Sequence, residues 1–215
     1  MIGGLMVQLH AIEHGETQRP TEDIDVLADA RGRKSMTQRV AKILDDLRAT
    51  VVDSSLIHPK TGFRFTLEDG HMVDVLGPDG LKNPPKTIAN RETFGIPGGT
   101  QALRRTEKIT VSLEGGEQTI IRRPSLLGAI LIKARSIMDR SSRREEKIES
   151  DRRDLVLLLS LVEVPRAMKD ETRNSERKWL RNAHVRLQID RPDLEQAFAA
   201  EALANARAAY AILTE

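Results

Sequence analysis

Polar and apolar residues alternate strictly over Asp23-Ile24-Asp25-Val26, in a run that ends at Leu27. A period of two reads as a β-strand with one polar face. On such a strand Asp23 and Asp25 project together, and Ile24 and Val26 point the other way. A second segment, His71-Met72-Val73-Asp74-Val75-Leu76, follows residues 62–67 and the turn Glu68-Asp69-Gly70, which predicts a hairpin. In that hairpin Asp74 faces away from Val73 and Val75. Residues 109–113 and 118–121, joined by Glu114-Gly115-Gly116-Glu117, predict another hairpin, whereas 78–97 is rich in Pro and Gly and reads as loop.

Elsewhere the period is helical. Residues 5–12 read as a short helix after the glycine turn Gly3-Gly4. Ser35 or Thr37 is placed to cap a helix to about Ala49, with Val40, Ile43, Leu44 and Leu47 at helical spacing. From Pro124-Ser125 onward the pattern is helical throughout. One helix runs to about Met138, with Leu127, Ile130, Leu131 and Ala134 on one face. After a polar break at 140–144 come helices over 148–162, closed by Pro165, over 176–188 and over 193–213. The pattern predicts two domains, a mixed α and β domain over 1–123 and a helical domain over 124–215. The expected class is α+β, a mixed β-sheet with flanking helices followed by C-terminal helices.

Composition narrows the chemistry. The 215 residues are 39% hydrophobic and 31% charged, enough apolar material for a buried core. There is no cysteine, which excludes disulfides, thiolate nucleophiles and thiolate metal sites. Aromatics are 3%, so stacking platforms for unpaired bases are scarce. No signal peptide and no membrane-length apolar run is evident, and a cytoplasmic location is the expectation. The net charge of +2 hides a gradient: 1–123 is neutral, 124–191 is +5 and 192–215 is −3. The basic middle suits a polyanion, or equally a solvated helical surface of mixed charge.

Two carboxylates as close as those of Asp23 and Asp25 repel by roughly 4 kcal/mol at about 4 Å and an effective dielectric near 20. A fold keeps such a pair where a cation sits between them, and a divalent metal is the usual choice. The plainer alternatives are a solvated acidic turn for the pair and an exposed edge-strand acid for Asp74. His10 and His14 are four apart, but no acidic residue in a metalloprotease frame joins them.

Together, Gly3-Gly4-Leu5, His10, Arg19-Pro20-Thr21 and Asp23-Ile24-Asp25 resemble the opening motif of the minimal nucleotidyltransferase fold, in particular the AbiEii-type toxins of bacterial toxin–antitoxin pairs. Pro124-Ser125-Leu126-Leu127, then Lys133, Arg140, Asp151 and Asp154, is similar to the family's helical segment. The likeness covers roughly 3–160. It departs at Gly4, where serine is common, and at the start, where the family carries a further helix and strand. The resemblance implies a nucleotidyltransferase-fold sheet in which Asp23, Asp25 and Asp74 ligate Mg2+ (or Mn2+). Asp74 would also activate the attacking hydroxyl. Lys133 would contact the triphosphate, with Asp151 in support. Gly3, Gly4, Arg19 and Thr21 would border the nucleotide.

The activity so implied is transfer of NMP from an NTP to RNA, tRNA above all, by a toxin that a cognate antitoxin restrains. Alternatives in the same frame are AMPylation of a protein hydroxyl and a degenerate module that holds nucleotide without turnover. A small-molecule modifier needs an acidic pocket for a cationic substrate, which the neutral-to-basic balance disfavours.

Overall fold

The computed structural model describes residues 1–17, 20–21, 23–32, 35–52, 63–83, 85–86, 92–139 and 145–215. Arg19 and Arg140 of the sequence motifs lie outside these residues. The chain divides into two compact units: Met1–Met6 with Arg19–Pro124, and Val7–Gln18 with Ser125–Glu215.

In the first unit, β1 (Asp23–Leu27) runs parallel to β4 (Met72–Pro78). On its other edge β4 takes β3 (Arg64–Thr66) antiparallel, and β3 takes β2 (Thr50–Val51), giving the order β1-β4-β3-β2. The short β5 (Phe94–Ile96) pairs parallel with the last residues of β4. Leu76 already pairs with Leu27 of β1, so β5 continues the edge that β3 leaves. The mixed sheet expected from the strand patterns is present.

Its apolar face is the one the pattern predicts. Ile24, Val26, Phe65, Val73 and Val75 pack with Val40 and Leu44 of α2 (Met36–Asp46). Ile43 and Leu47, expected on that stripe, are more than half exposed, because the helix buries only Thr37, Ala41 and Leu44. The helix stops at Asp46, short of Ala49, where Arg48 takes a positive φ of 55°.

The stretch 78–97, read as loop, holds β5 and a bridge between Lys86 and Glu92, and it leads into α3 (Gly99–Arg104). Three residues with a central glycine carry too little periodicity to signal a strand. The hairpin of β6 (Thr106–Ser112) and β7 (Gln118–Pro124) matches expectation and extends three residues further on each strand at its open end.

Helix α1 (Gly3–Glu13) starts at the glycines, two residues earlier than the apolar pattern suggests. The second unit holds α4 (Leu126–Asp139), α5 (Glu145–Ser160), α6 (Pro165–Glu171), α7 (Asn174–Leu187), α8 (Pro192–Ala197) and α9 (Ala200–Thr214). Helix α4 buries Leu127, Ile130, Leu131 and Ala134, the predicted face. It packs on α5 and α7, and α9 packs on α5, α6 and α7.

Two differences from the sequence reading have local causes. Pro165 stands in the first turn of α6, where its fixed φ and missing N–H are tolerated, instead of ending the preceding helix. The single helix expected over 193–213 breaks at Phe198, which is extended (φ −124°, ψ 147°), with no Gly or Pro to announce it. Among the described residues no helix is long and apolar enough to cross a membrane.

Candidate active site

The polar face of the sheet carries the acids. Asp25 stands directly opposite Asp74 in the parallel β1–β4 register, and Asp23 lies on the same face two residues earlier. Asp74 is opposite Arg64 on its other side, in the antiparallel β3–β4 register. Asp25, Asp74 and Arg64 therefore form one row across three strands. Apolar neighbours hold each in place from behind: Ile24 and Val26, Val73 and Val75, and the fully buried Phe65.

Arg64 was not a sequence candidate, yet it organises the cluster. Its Nε donates to Asp74 Oδ1 at 2.7 Å and its Nη2 to Asp74 Oδ2 at 2.8 Å, a fork-to-fork pair. The same Nη2 lies 3.7 Å from Asp23 Oδ2. The hydrogen bond to Asp74, with the charges of Asp74, Asp23 and Asp25, holds the guanidinium protonated even more firmly than usual. The strand registers place these three acids and Arg64 on this face.

The glycine pair meets the acids. Helix α1 opens at Gly3, whose φ is +72°. A Cβ on Gly3 would come within 1.7 Å of Asp25 Oδ2, so the Asp25 carboxylate lies over the first turn of the helix. The amides of that turn and the helix dipole favour a negative group there. Ile2 N–H donates to the Asp25 carbonyl at 2.9 Å and ties the helix start to β1. A Cβ on Gly4 would meet Thr21 Oγ1 at 2.6 Å, and that hydroxyl donates to the Asp23 carbonyl at 3.4 Å.

The donor set suits a hard divalent cation. Asp23 Oδ1 is buried and has no hydrogen-bond partner among the described residues. Magnesium is commonly held by one or two carboxylates with phosphate oxygens and water completing the shell, and Asp23 and Asp25 meet that requirement. Asp74 gives both oxygens to Arg64. Among the described residues no group of three or more acidic or histidine side chains is placed to hold a metal ion.

In the helical unit the expected Lys133 and Asp151 are together. Lys133 is buried, and its Nζ donates to Asp151 Oδ1 at 3.1 Å and to Asp154 Oδ2 at 2.7 Å. Ser136 Oγ donates to Asp151 Oδ2 at 2.9 Å. Burial alone would lower the pKa of the lysine, but the two carboxylates outweigh it and raise it above the ordinary value. Asp151 and Asp154 lie three apart on α5 and both face Lys133.

Three arginines of the basic segment are held in ion pairs. Arg152 and Arg153 both pair with Glu149, and Arg191 donates to Asp193 at 2.7 Å. The His14 ring bonds the His10 carbonyl at 2.8 Å.

No family model and no curated protein matches the chain. Among solved structures it is similar to a crystal structure of an antigenic nucleotidyltransferase-like protein from Paracoccidioides brasiliensis. The identity is 20%, the match covers 95% of this chain and 83% of that one, and the TM-score is 0.49.

Proposed function

We propose that the chain is a nucleotidyltransferase of the minimal nucleotidyltransferase fold that moves NMP from an NTP to an RNA hydroxyl, tRNA above all. The observation that carries this reading is the register of Asp25 against Asp74 with Asp23 on the same sheet face. In it Asp23 and Asp25 hold a divalent ion, Mg2+ or Mn2+. The ion supplies positive charge to the triphosphate and to the pyrophosphate that leaves.

The residues of this chain do the positioning. Gly3 and Gly4 keep the start of α1 against Asp25 and Thr21, so backbone amides border the phosphates. Asp74 is the acceptor for the proton of the attacking hydroxyl, and Arg64 fixes both of its oxygens. Nothing in such a reaction asks for a nucleophilic side chain, so the lack of cysteine removes no part of it. The excess of basic residues over 124–191 favours a polyanionic acceptor. In this reading the chain is a toxin restrained by an antitoxin protein.

The experiment is incubation of each α-labelled NTP with total tRNA and, separately, with lysate protein, using wild type and Asp25→Ala. Label on tRNA that Asp25→Ala abolishes supports the reading. Label on protein alone moves the acceptor to a protein hydroxyl. No label on either, with growth arrest unchanged by Asp25→Ala, overturns it.

One observation favours a second reading, a module that holds nucleotide without turnover: Asp74 is already saturated by Arg64. Calorimetry that shows metal-dependent NTP binding by a protein without transferase activity selects it.

A further inference from the structure

We infer that Arg64 is a built-in cation of the carboxylate cluster: it occupies the place where a second divalent ion would bridge Asp74 and Asp23, so the site takes one ion, on Asp23 and Asp25. This rests on the nucleotidyltransferase reading above and names the metal count of that same site.

The geometry is specific. Arg64 Nη2 is 2.8 Å from Asp74 Oδ2 and 3.7 Å from Asp23 Oδ2. An ion bridging those carboxylates at about 2.1 Å from each oxygen would need the same space. The other Asp74 oxygen is not free to turn toward an ion, since Arg64 Nε takes it at 2.7 Å. On Asp23 the division is complementary. Oδ2 faces the guanidinium, while Oδ1 is buried without a hydrogen-bond partner among the described residues. Oδ1 is the oxygen left for a ligand.

Sequence and fold hold Arg64 there. It is a strand residue paired in register with Asp74, and its neighbour Phe65 is locked in the core beneath. Its side chain is about one-third exposed (32%) against 8% for Asp74, so it covers the acid from the solvent side. A two-ion site has two divalent charges roughly 3.5–4 Å apart. Here one of them is replaced by a monovalent planar donor, which hydrogen-bonds the carboxylate and leaves no open coordination position.

Titration with Mn2+ alone, read by the EPR signal of the free ion, counts the ions per chain. The expected result is one for wild type and two for Arg64→Gln, with circular dichroism confirming that the variant is folded. Two ions in wild type, or one in a folded Arg64→Gln, overturns the inference and leaves the transferase reading standing. No ion in wild type overturns that reading, and the inference with it. A second measurement needs no variant: phenylglyoxal modification of Arg64 in the wild-type protein, followed by peptide mass spectrometry. A rate unchanged by saturating Mn2+ supports the inference, and a rise of about fivefold or more, from an arginine pushed off Asp74, overturns it.

Discussion

Gly3 and Asp25 are in such close contact that the glycine has no room for a side chain: a Cβ would lie 1.7 Å from the Asp25 carboxylate. Two independent constraints fall on this residue, because its φ of +72° is also strained for any L side chain. Gly4 has only the first kind of constraint, against the Thr21 side chain, at 2.6 Å.

The expected outcome is a ranking. Gly3→Ala loses at least about 1–3 kcal/mol from backbone strain and also displaces Asp25. Gly4→Ala loses less, since Thr21 can change rotamer. Thermal melts of the two variants check this, and equal losses would show that the helix start is free to move. With transfer activity as a second readout, Gly3→Ala behaves like Asp25→Ala.

Breaking the Arg64–Asp74 fork has a cost independent of catalysis. Asp74→Asn keeps the shape, removes the charge and weakens two charge-assisted bonds. Roughly 1.5–3 kcal/mol is the expected loss. Urea unfolding measures it. A double-mutant cycle with Arg64→Gln isolates the pair, and a coupling near zero would mean that the contact contributes nothing to stability.

A ligand that binds only the folded chain raises its melting temperature by mass action. With NTP present, Mn2+ or Mg2+ is expected to raise the melting temperature of wild type. Asp23→Asn or Asp25→Asn should remove that shift while the apo protein melts within a few degrees of wild type. EDTA should reverse the shift completely. A shift retained in both variants places the ion elsewhere.

The acidic face was legible because a strand has a period of two: Asp23, Asp25 and Asp74 could be assigned to one side from their apolar neighbours alone. Arg64 was missed although a signal existed. In a hairpin turning at Glu68-Asp69-Gly70, residues equidistant from the turn pair, and Arg64 is as far before Asp69 as Asp74 is after it. Reading that register across the hairpin would have found the fork. Helix α4 was legible because its buried face is continuous. The break at Phe198-Ala199 was not, since neither residue type signals a stop and tertiary packing sets the bend. For Asp151 and Asp154 spacing alone gave no choice, and the structure shows that both face Lys133.

That pairing makes Lys133 a sharp probe of the helical unit. Lys133→Met leaves two carboxylates buried without their counter-ion, a loss of about 3–5 kcal/mol. The triple change with Asp151→Asn and Asp154→Asn removes the uncompensated charge and should recover most of that loss. Urea unfolding that finds Lys133→Met within about 1 kcal/mol of wild type would show that the aspartates reach water or protonate at little cost.

The same unit should lose stability in alkali through two groups that act in one direction. Burial raises the pKa of the Tyr210 phenol, whose OH donates to the Leu180 carbonyl at 2.5 Å. The Lys133 ammonium is also held above its ordinary value, burial opposing and the two aspartates prevailing. A raised folded pKa means that the unfolded chain releases its proton first. The stability from each group is therefore complete below its ordinary value, 10.0 for the tyrosine and 10.5 for the lysine, and drains as pH rises through the folded value. Urea unfolding should give no loss from these groups between neutral pH and about 9. Above about 10 the loss should steepen toward roughly 1.4 kcal/mol per pH unit for each group. Tyr210→Phe removes one of the two contributions, so its alkaline slope should be shallower than that of wild type even if its stability at neutral pH is lower by about 1 kcal/mol. An unchanged slope would mean that the phenol ionises as readily in the folded protein as in the unfolded chain.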